Sequence, residues 1–163
     1  MVGLYTGLRF KDWPKVLTAP LKQTASGNEY YEIATQKTGT VVMIPATEQL
    51  KKLLSQKPSF KISDQKFNSY VKELCRLAGL NKAITIVHTV GGERKTKIEP
   101  QWSQISSHTA RRSFATNMYL AGFEKSLIMG ITGHKTEAAF MKYLKQDASS
   151  NIDLIMAQMA KNL

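Results

Sequence analysis

Two segments constrain the fold most: one joins two β-branched or aromatic runs by a turn, and the other joins an alternating β-branched run to a basic stretch across two glycines. In the first, Tyr30-Tyr31-Glu32-Ile33-Ala34-Thr35 and Thr40-Val41-Val42-Met43-Ile44 flank Gln36-Lys37-Thr38-Gly39. In the second, the alternating run from Ala83 to Val90 is followed by Gly91-Gly92 and by Arg94-Lys95-Thr96-Lys97-Ile98. Runs joined this closely pair as antiparallel hairpins. The remaining segments carry helical spacing. Phe10 to Leu17 predicts a short helix ended by Pro20, and Glu48 to Ser55 a second. Ser63-Asp64 caps a helix over Gln65–Ala78, with Phe67, Tyr70, Val71, Leu74, Cys75 and Ala78 on one face and Gly79 as its stop. On that reading Cys75 is a core residue. Ser107 caps a helix beginning at His108 and closed by Gly122; shorter helices follow over Lys125–Gly130 and Thr136–Leu144. Beyond the polar Gln146-Asp147-Ala148-Ser149-Ser150, a final helix carries Ile152, Ile155, Met156 and Met159, with Ser150 and Asp153 resembling a capping box. The expected class is α+β, mainly α-helical with a small antiparallel β-sheet.

Composition narrows the function. The chain has 163 residues and a formal net charge of +11. The excess is uneven: residues 51–100 hold eleven Lys or Arg against four Asp or Glu. Such a surface attracts a polyanion, most often nucleic acid, although a solvated face has the same composition. A membrane partner is disfavoured, because no run is long enough to span a bilayer and no strongly basic amphipathic helix is present. The single cysteine, Cys75, excludes an internal disulfide and a Cys-rich zinc site. With no signal-peptide pattern over Met1 to Phe10, the expected location is a reducing cytoplasm. The chain opens abruptly on Gly3-Leu4-Tyr5-Thr6-Gly7-Leu8-Arg9, which reads as the end of an apolar helix and a turn. A missing part before Met1 is expected.

The residues able to carry chemistry are scattered. His108-Thr109-Ala110-Arg111 puts an imidazole and a guanidinium three apart at a helix start. His134, after Gly133, follows Arg111 by 23 residues, and Tyr143 follows His134 by nine. Arg9 lies far upstream, and Lys37 sits at the first hairpin's turn, where it could equally be a solvated turn lysine. Two arginines and two imidazoles can surround a phosphodiester, since Arg grips phosphate oxygens through paired N–H donors. A phenol can attack phosphorus and form an ester, given help with its proton. A lysine on a mobile turn could protonate the leaving oxygen. The sequence shows no acidic cluster with metal-ligand spacing, so guanidinium charge would stabilise the transition state and no metal or cofactor is expected.

These pieces resemble the tyrosine recombinases, or phage-type integrases, particularly integrases of mobile elements in Bacteroides-like bacteria. The resemblance covers nearly all of residues 1–145. It rests on Thr6-Gly7-Leu8-Arg9-Phe10-Lys11-Asp12, on Gln36-Lys37-Thr38-Gly39 followed by a strand and Pro45, on His108-Thr109-Ala110-Arg111-Arg112-Ser113-Phe114-Ala115-Thr116, and on Thr132-Gly133-His134 with Tyr143. It implies a catalytic domain over residues 1–145 that lacks the family's N-terminal DNA-clamping domain, and a helical tail over 146–163.

It also implies roles. Arg9 and Arg111 match the arginines that clamp the phosphate. Lys37 matches the general acid for the leaving 5′ oxygen, and His108 the group that accepts the nucleophile's proton. His134 matches the histidine bonded to the scissile phosphate. Tyr143 matches the nucleophile, which forms a 3′-phosphotyrosyl bond. Asp12 matches an acidic position that holds a basic group in place. Arg94, Lys95, Lys97, Arg112 and Lys135 are expected to contact DNA. Tyr5, Tyr30, Tyr31, Tyr70 and Tyr119 are expected to be packing residues, and His88 a structural one.

The implied activity is cleavage and rejoining of double-stranded DNA for integration or excision of a mobile element, in a bacterial, nucleoid-associated setting. The implied assembly is a homotetramer on DNA and a monomer without it, with DNA-bending accessory proteins as possible partners. The tail's apolar stripe suits docking on a neighbouring protomer or on its own core. Type IB topoisomerase-like relaxation and a non-catalytic DNA-binding module are the alternatives.

Overall fold

The computed structural model describes residues 1–144 together with 156 and 159. In chain order, α1 (Val2–Thr6) leads through a 3-10 turn, Phe10–Asp12, into α2 (Trp13–Thr18). Strands β1 (Leu21–Gln23), β2 (Glu29–Ala34) and β3 (Val41–Pro45) follow, then α3 (Glu48–Ser55) and α4 (Asp64–Leu77). Next come β4 (Ala83–Val90) and β5 (Glu93–Pro100), a 3-10 turn over Gln101–Gln104, α5 (Ser107–Leu120), α6 (Lys125–Thr132) and α7 (Glu137–Met141). This is a mixed α+β architecture with small antiparallel sheets. The chain divides into two compact units, one of residues 1–60 and 110–163, the other Lys61–Thr109, with the boundary inside α5.

In the first unit, β1, β2 and β3 form an antiparallel sheet in that order. Tyr31 pairs with Ile44 and Ile33 with Val42, and all four are buried. Alternation puts them on one face, where each aliphatic side chain contributes about 1.5–3 kcal/mol of burial. Leu8, Trp13, Val16 and Leu50 are buried in the same unit. A second cluster gathers Ala115, Ile128, Phe140 and Leu144, with Met118, Tyr119 and Met129 packed against it. Thr47 and Thr136 cap α3 and α7 by accepting the N–H of Leu50 and of Ala139. Gly7 closes α1 at φ 64°, and a Cβ there would meet Phe114 Cδ1 at 2.5 Å, so close packing as well as backbone conformation demands glycine.

The second unit is a helix, a ribbon and a 3-10 turn. The β4–β5 register pairs Ile86 with Lys97, His88 with Lys95 and Thr89 with Arg94. Ser63 caps α4 by accepting the Lys66 N–H. Ser107 is the first residue of α5. Its hydroxyl donates to Asp64 Oδ1 at 2.9 Å and its N–H to Asn68 Oδ1 at 2.7 Å, tying the start of α5 to α4.

Several expectations need correcting. The helix expected over Phe10–Leu17 is a 3-10 turn followed by α2. β1 was not foreseen; it is three residues long and polar, and Lys22 joins it to β2 through an ion pair with Glu32 at 2.9 Å. The apolar face of α4 is not a core face. No residue of α4 is fully buried, Tyr70 and Leu74 are 58% and 66% exposed, and Cys75 is half-buried. Tyr70 is therefore not the packing residue expected, whereas Tyr31 is. His88 is exposed on the ribbon and supports no core. The tail expectation falls on residues 146–163, which lie outside the described residues except for Met156 and Met159, both helical and exposed.

Candidate active site

The site is built around Arg111, which lies in α5 and is only 1% exposed. Its Nη1 donates to the Gly7 carbonyl at 2.7 Å, on the turn that follows α1. Its Nη2 lies 3.3 Å from His134 Nε2. Its Nε is buried and has no hydrogen-bond partner among the described residues, and the same holds for Nη1 of Arg9. Leaving a buried donor unmade costs about 1–3 kcal/mol, and more when it is charged. Two guanidiniums with idle inward donors are destabilising alone. They become favourable when an anion's oxygens accept from both.

The electrostatics point the same way. Burial, followed by repulsion from Arg9, brings Arg111 down to about 10, against the opposing pull of Tyr143 and Asp12. It stays cationic at neutral pH. Burial pushes His134 down to about 4, with Arg111 and Arg9 adding to the effect. That shift favours the neutral imidazole at pH 7.

His134 is held in a fixed pose. Gly133, at φ 68°, ends α6, and the N–H groups of Gly133 and His134 both donate to the Met129 carbonyl. The His134 ring packs edge-on against Phe140 and Tyr143, with centroids at 5.5 and 4.7 Å. Tyr143 lies just beyond α7, and the Arg111 guanidinium carbon is 5.6 Å from its ring centre. Arg111 and Tyr143 also share a side-chain hydrogen bond. Arg9, Arg111, His134 and Tyr143 thus meet in one place in the first unit.

Lys37 occupies the exposed turn between β2 and β3. The base of that turn is fixed by Asp12, which is buried and accepts the Gln36 N–H at 2.7 Å. Asp12 also pairs with Lys15 at 3.2 Å, and Lys15 donates to the Ala34 carbonyl. The short turn after Arg9 and the lysine hairpin are therefore latched together. His108 belongs to the second unit, where it is exposed on the first turn of α5.

The expected DNA contacts are scattered. Arg94 lies opposite Thr89 on one face of the ribbon, while Lys95 and Lys97 lie on the other, opposite His88 and Ile86. Lys97 is paired with Glu99 at 2.5 Å. In the first unit Arg112 is half-buried and Lys135 exposed. Among the described residues, no group of three or more His, Cys, Asp or Glu is placed to hold a metal ion, and no helix is long and apolar enough to cross a membrane.

Sequence reasoning missed two groups at the site, the Gly7 carbonyl that orients Arg111 and the Thr132 hydroxyl, which lies 2.7 Å from His134 Nδ1. A backbone carbonyl leaves no mark in sequence. A threonine two residues before a histidine does, but the contact depends on the helix end bending back at Gly133.

Residues 3–150 match the model of the phage integrase family. The chain belongs to that family. Solved structures give the same fold for this integrase-family chain. A XerA recombinase is 15% identical with a TM-score of 0.60, covering 96% of this chain and 56% of that one. XerH site-specific recombinase bound to palindromic difH substrate, in a post-cleavage complex, is 15% identical with a TM-score of 0.60, covering 91% and 41%. Tn1549 transposon integrase in complex with a circular intermediate DNA is 17% identical with a TM-score of 0.56, covering 98% and 56%. The chain spans about half the length of these structures. Comparison with curated protein sequences finds no match.

Proposed function

We propose that this chain is the catalytic part of a site-specific DNA recombinase that cleaves and rejoins strands through a 3′-phosphotyrosyl bond on Tyr143. The observation that carries the reading is the pair of buried, idle guanidinium donors on Arg9 and Arg111 beside the Tyr143 phenol. In the proposed reaction a scissile phosphate takes those donors. The phenol oxygen of Tyr143 bonds to phosphorus, its proton passing to a general base, the role the sequence resemblance assigns to His108, and the bond from phosphorus to the 5′ oxygen breaks. Lys37 gives that oxygen a proton. His134 bonds a non-bridging oxygen. Cationic side chains stabilise the charge of the transition state, and neither metal nor ATP takes part. Reversal by a 5′ hydroxyl of another strand completes exchange, since the tyrosyl ester keeps the energy of the phosphodiester.

The XerH and Tn1549 structures are complexes with DNA, which supports duplex DNA as the partner. The proposed assembly is a tetramer on DNA, serving integration or excision of a mobile element of the Bacteroides type. Lys95, Arg94, Lys97, Arg112 and Lys135 would contact the backbone, which positions the duplex but carries little sequence information.

The test is a nicked suicide duplex carrying the element's site, incubated with the protein and run on a denaturing gel. A covalent adduct should form in the presence of a chelator and vanish in Tyr143→Phe. An adduct that persists in that variant moves the nucleophile elsewhere. Relaxation of supercoiled plasmid without joining of separate sites would favour topoisomerase activity.

A further inference from the structure

The hydroxyl of Thr132 is placed to do more than end a helix. It is fully buried at the last residue of α6 and donates to the Ile128 carbonyl at 2.7 Å, with a longer contact of 3.5 Å to the Met129 carbonyl. The same oxygen lies 2.7 Å from His134 Nδ1. A hydroxyl has one hydrogen, and here a carbonyl, which can only accept, takes it. The Nδ1 contact is then satisfied only if Nδ1 carries a hydrogen and donates to Thr132. A neutral imidazole with hydrogen on Nδ1 has a lone pair on Nε2. That lone pair meets Arg111 Nη2, which can only donate, at 3.3 Å. The chain Arg111, His134, Thr132, Ile128 is consistent in one direction of donation only.

A phosphate in the pocket changes what Nε2 must do, because phosphate oxygens accept. We propose that Thr132 is a positioning residue for His134, its hydroxyl fixing which imidazole nitrogen carries hydrogen and allowing Nε2 to exchange an acceptor's role toward Arg111 for a donor's role toward bound phosphate. This rests on the phosphate-pocket reading above. In the exchange the hydroxyl turns from the Ile128 carbonyl to Nδ1 and becomes the donor. The imidazole gives its Nδ1 proton to solvent water and takes one at Nε2 from solvent, so its net proton count is unchanged. The Ile128 carbonyl keeps the helical N–H bond expected of α6, so the turned hydroxyl strands no buried acceptor. Carbon cannot replace the hydroxyl here: valine fills the same volume and offers Nδ1 neither donor nor acceptor. The depressed ionisation of His134 agrees with a neutral ring, for which the tautomer decides the hydrogen-bond pattern.

The first arm of the test is spectroscopic and independent of DNA cleavage. Long-range proton–nitrogen correlations are recorded at pH 7 on the full chain with labelled histidine, the His134 signals being assigned by their absence in His134→Asn. The wild type and Thr132→Ser should show hydrogen on Nδ1, and Thr132→Val should shift the ring toward hydrogen on Nε2. Added inorganic phosphate should shift the wild-type ring toward hydrogen on Nε2. The idea fails if the wild-type ring already carries its hydrogen on Nε2 without an anion, if phosphate binds and leaves the tautomer unchanged, or if valine leaves the pattern as it was. The wild-type spectrum decides even if the valine variant does not fold.

The second arm is single-turnover cleavage of the suicide duplex. Thr132→Val should slow adduct formation about tenfold with duplex affinity unchanged, while Thr132→Ser stays close to wild type. Wild-type speed in the valine variant, or equal loss in both, overturns the proposal. Absence of any adduct from the wild type would count against the proposed recombinase activity, leaving the spectrum to decide the tautomer.

Discussion

The two β-hairpins are both antiparallel pairs and end in opposite environments. β2 and β3 bury Tyr31, Ile33, Val42 and Ile44 on one face, and the turn they carry is latched by Asp12. β4 and β5 are longer, yet Val87 and Ile98 are exposed and only Ile84, Ile86, Glu99 and Pro100 among the strands' described side chains reach half-burial. Backbone pairing holds both ribbons, but only one has a core beneath it. An isolated two-stranded ribbon is marginal in water. The first hairpin carries Lys37 on a turn anchored by Asp12, while the second carries Arg94, Lys95 and Lys97 on two faces of an exposed ribbon.

Four substitutions break or sharpen that contrast. The largest effect is expected at the tip of the buried hairpin. Lys37→Ala should slow cleavage of a normal 5′ oxygen by about 10²–10⁴, the range of general acid catalysis. A duplex with a 5′-bridging sulfur, a better leaving group, should recover much of the rate; equal defects on both substrates would contradict the acid's role. Next, Ile44→Ala should cost about 2–5 kcal/mol in urea unfolding, because the emptied space lies in a packed face. A value under 1 kcal/mol would show that the sheet is not a core.

On the second ribbon Lys95→Gln should leave unfolding unchanged and lower the slope of log affinity against log salt by about 1. An unchanged slope would remove Lys95 from the DNA contacts. The smallest effect is expected for Ile98→Ser, within about 0.5 kcal/mol in the same unfolding assay, since the side chain is 72% exposed. A loss approaching that of Ile44→Ala would mean that both hairpins are equally supported.

What could be read from sequence was local. Both hairpins, the caps at Ser63 and the stop at Gly122 follow from short-range patterns, because turn chemistry and alternation act within a few residues. β1 escaped, since Leu21-Lys22-Gln23 has no apolar pattern and becomes a strand only because β2 offers it an edge. The face of α4 misled for a different reason: period 3.6 shows that an apolar stripe exists, not whether anything covers Tyr70 and Leu74. At the site, the order and spacing of Arg9, Arg111, His134 and Tyr143 were enough to name the four that meet. The contacts of the Gly7 carbonyl and the Thr132 hydroxyl were not readable, because they arise where helix ends fold back. Charge counting gave a basic middle segment but not its division between two faces of a ribbon.

The bond from Arg111 to the Gly7 carbonyl spans 104 residues of chain. A ribosome that has delivered Arg9 and Lys37 has made no anion trap, for the guanidinium that completes it is still unsynthesised, and the tyrosine comes later still. A product terminated before Arg111 would carry the lysine hairpin and Arg9 without the second buried guanidinium. Long-range closure of this kind slows folding, and it makes the paired guanidiniums a property of the folded domain and of no shorter piece of it.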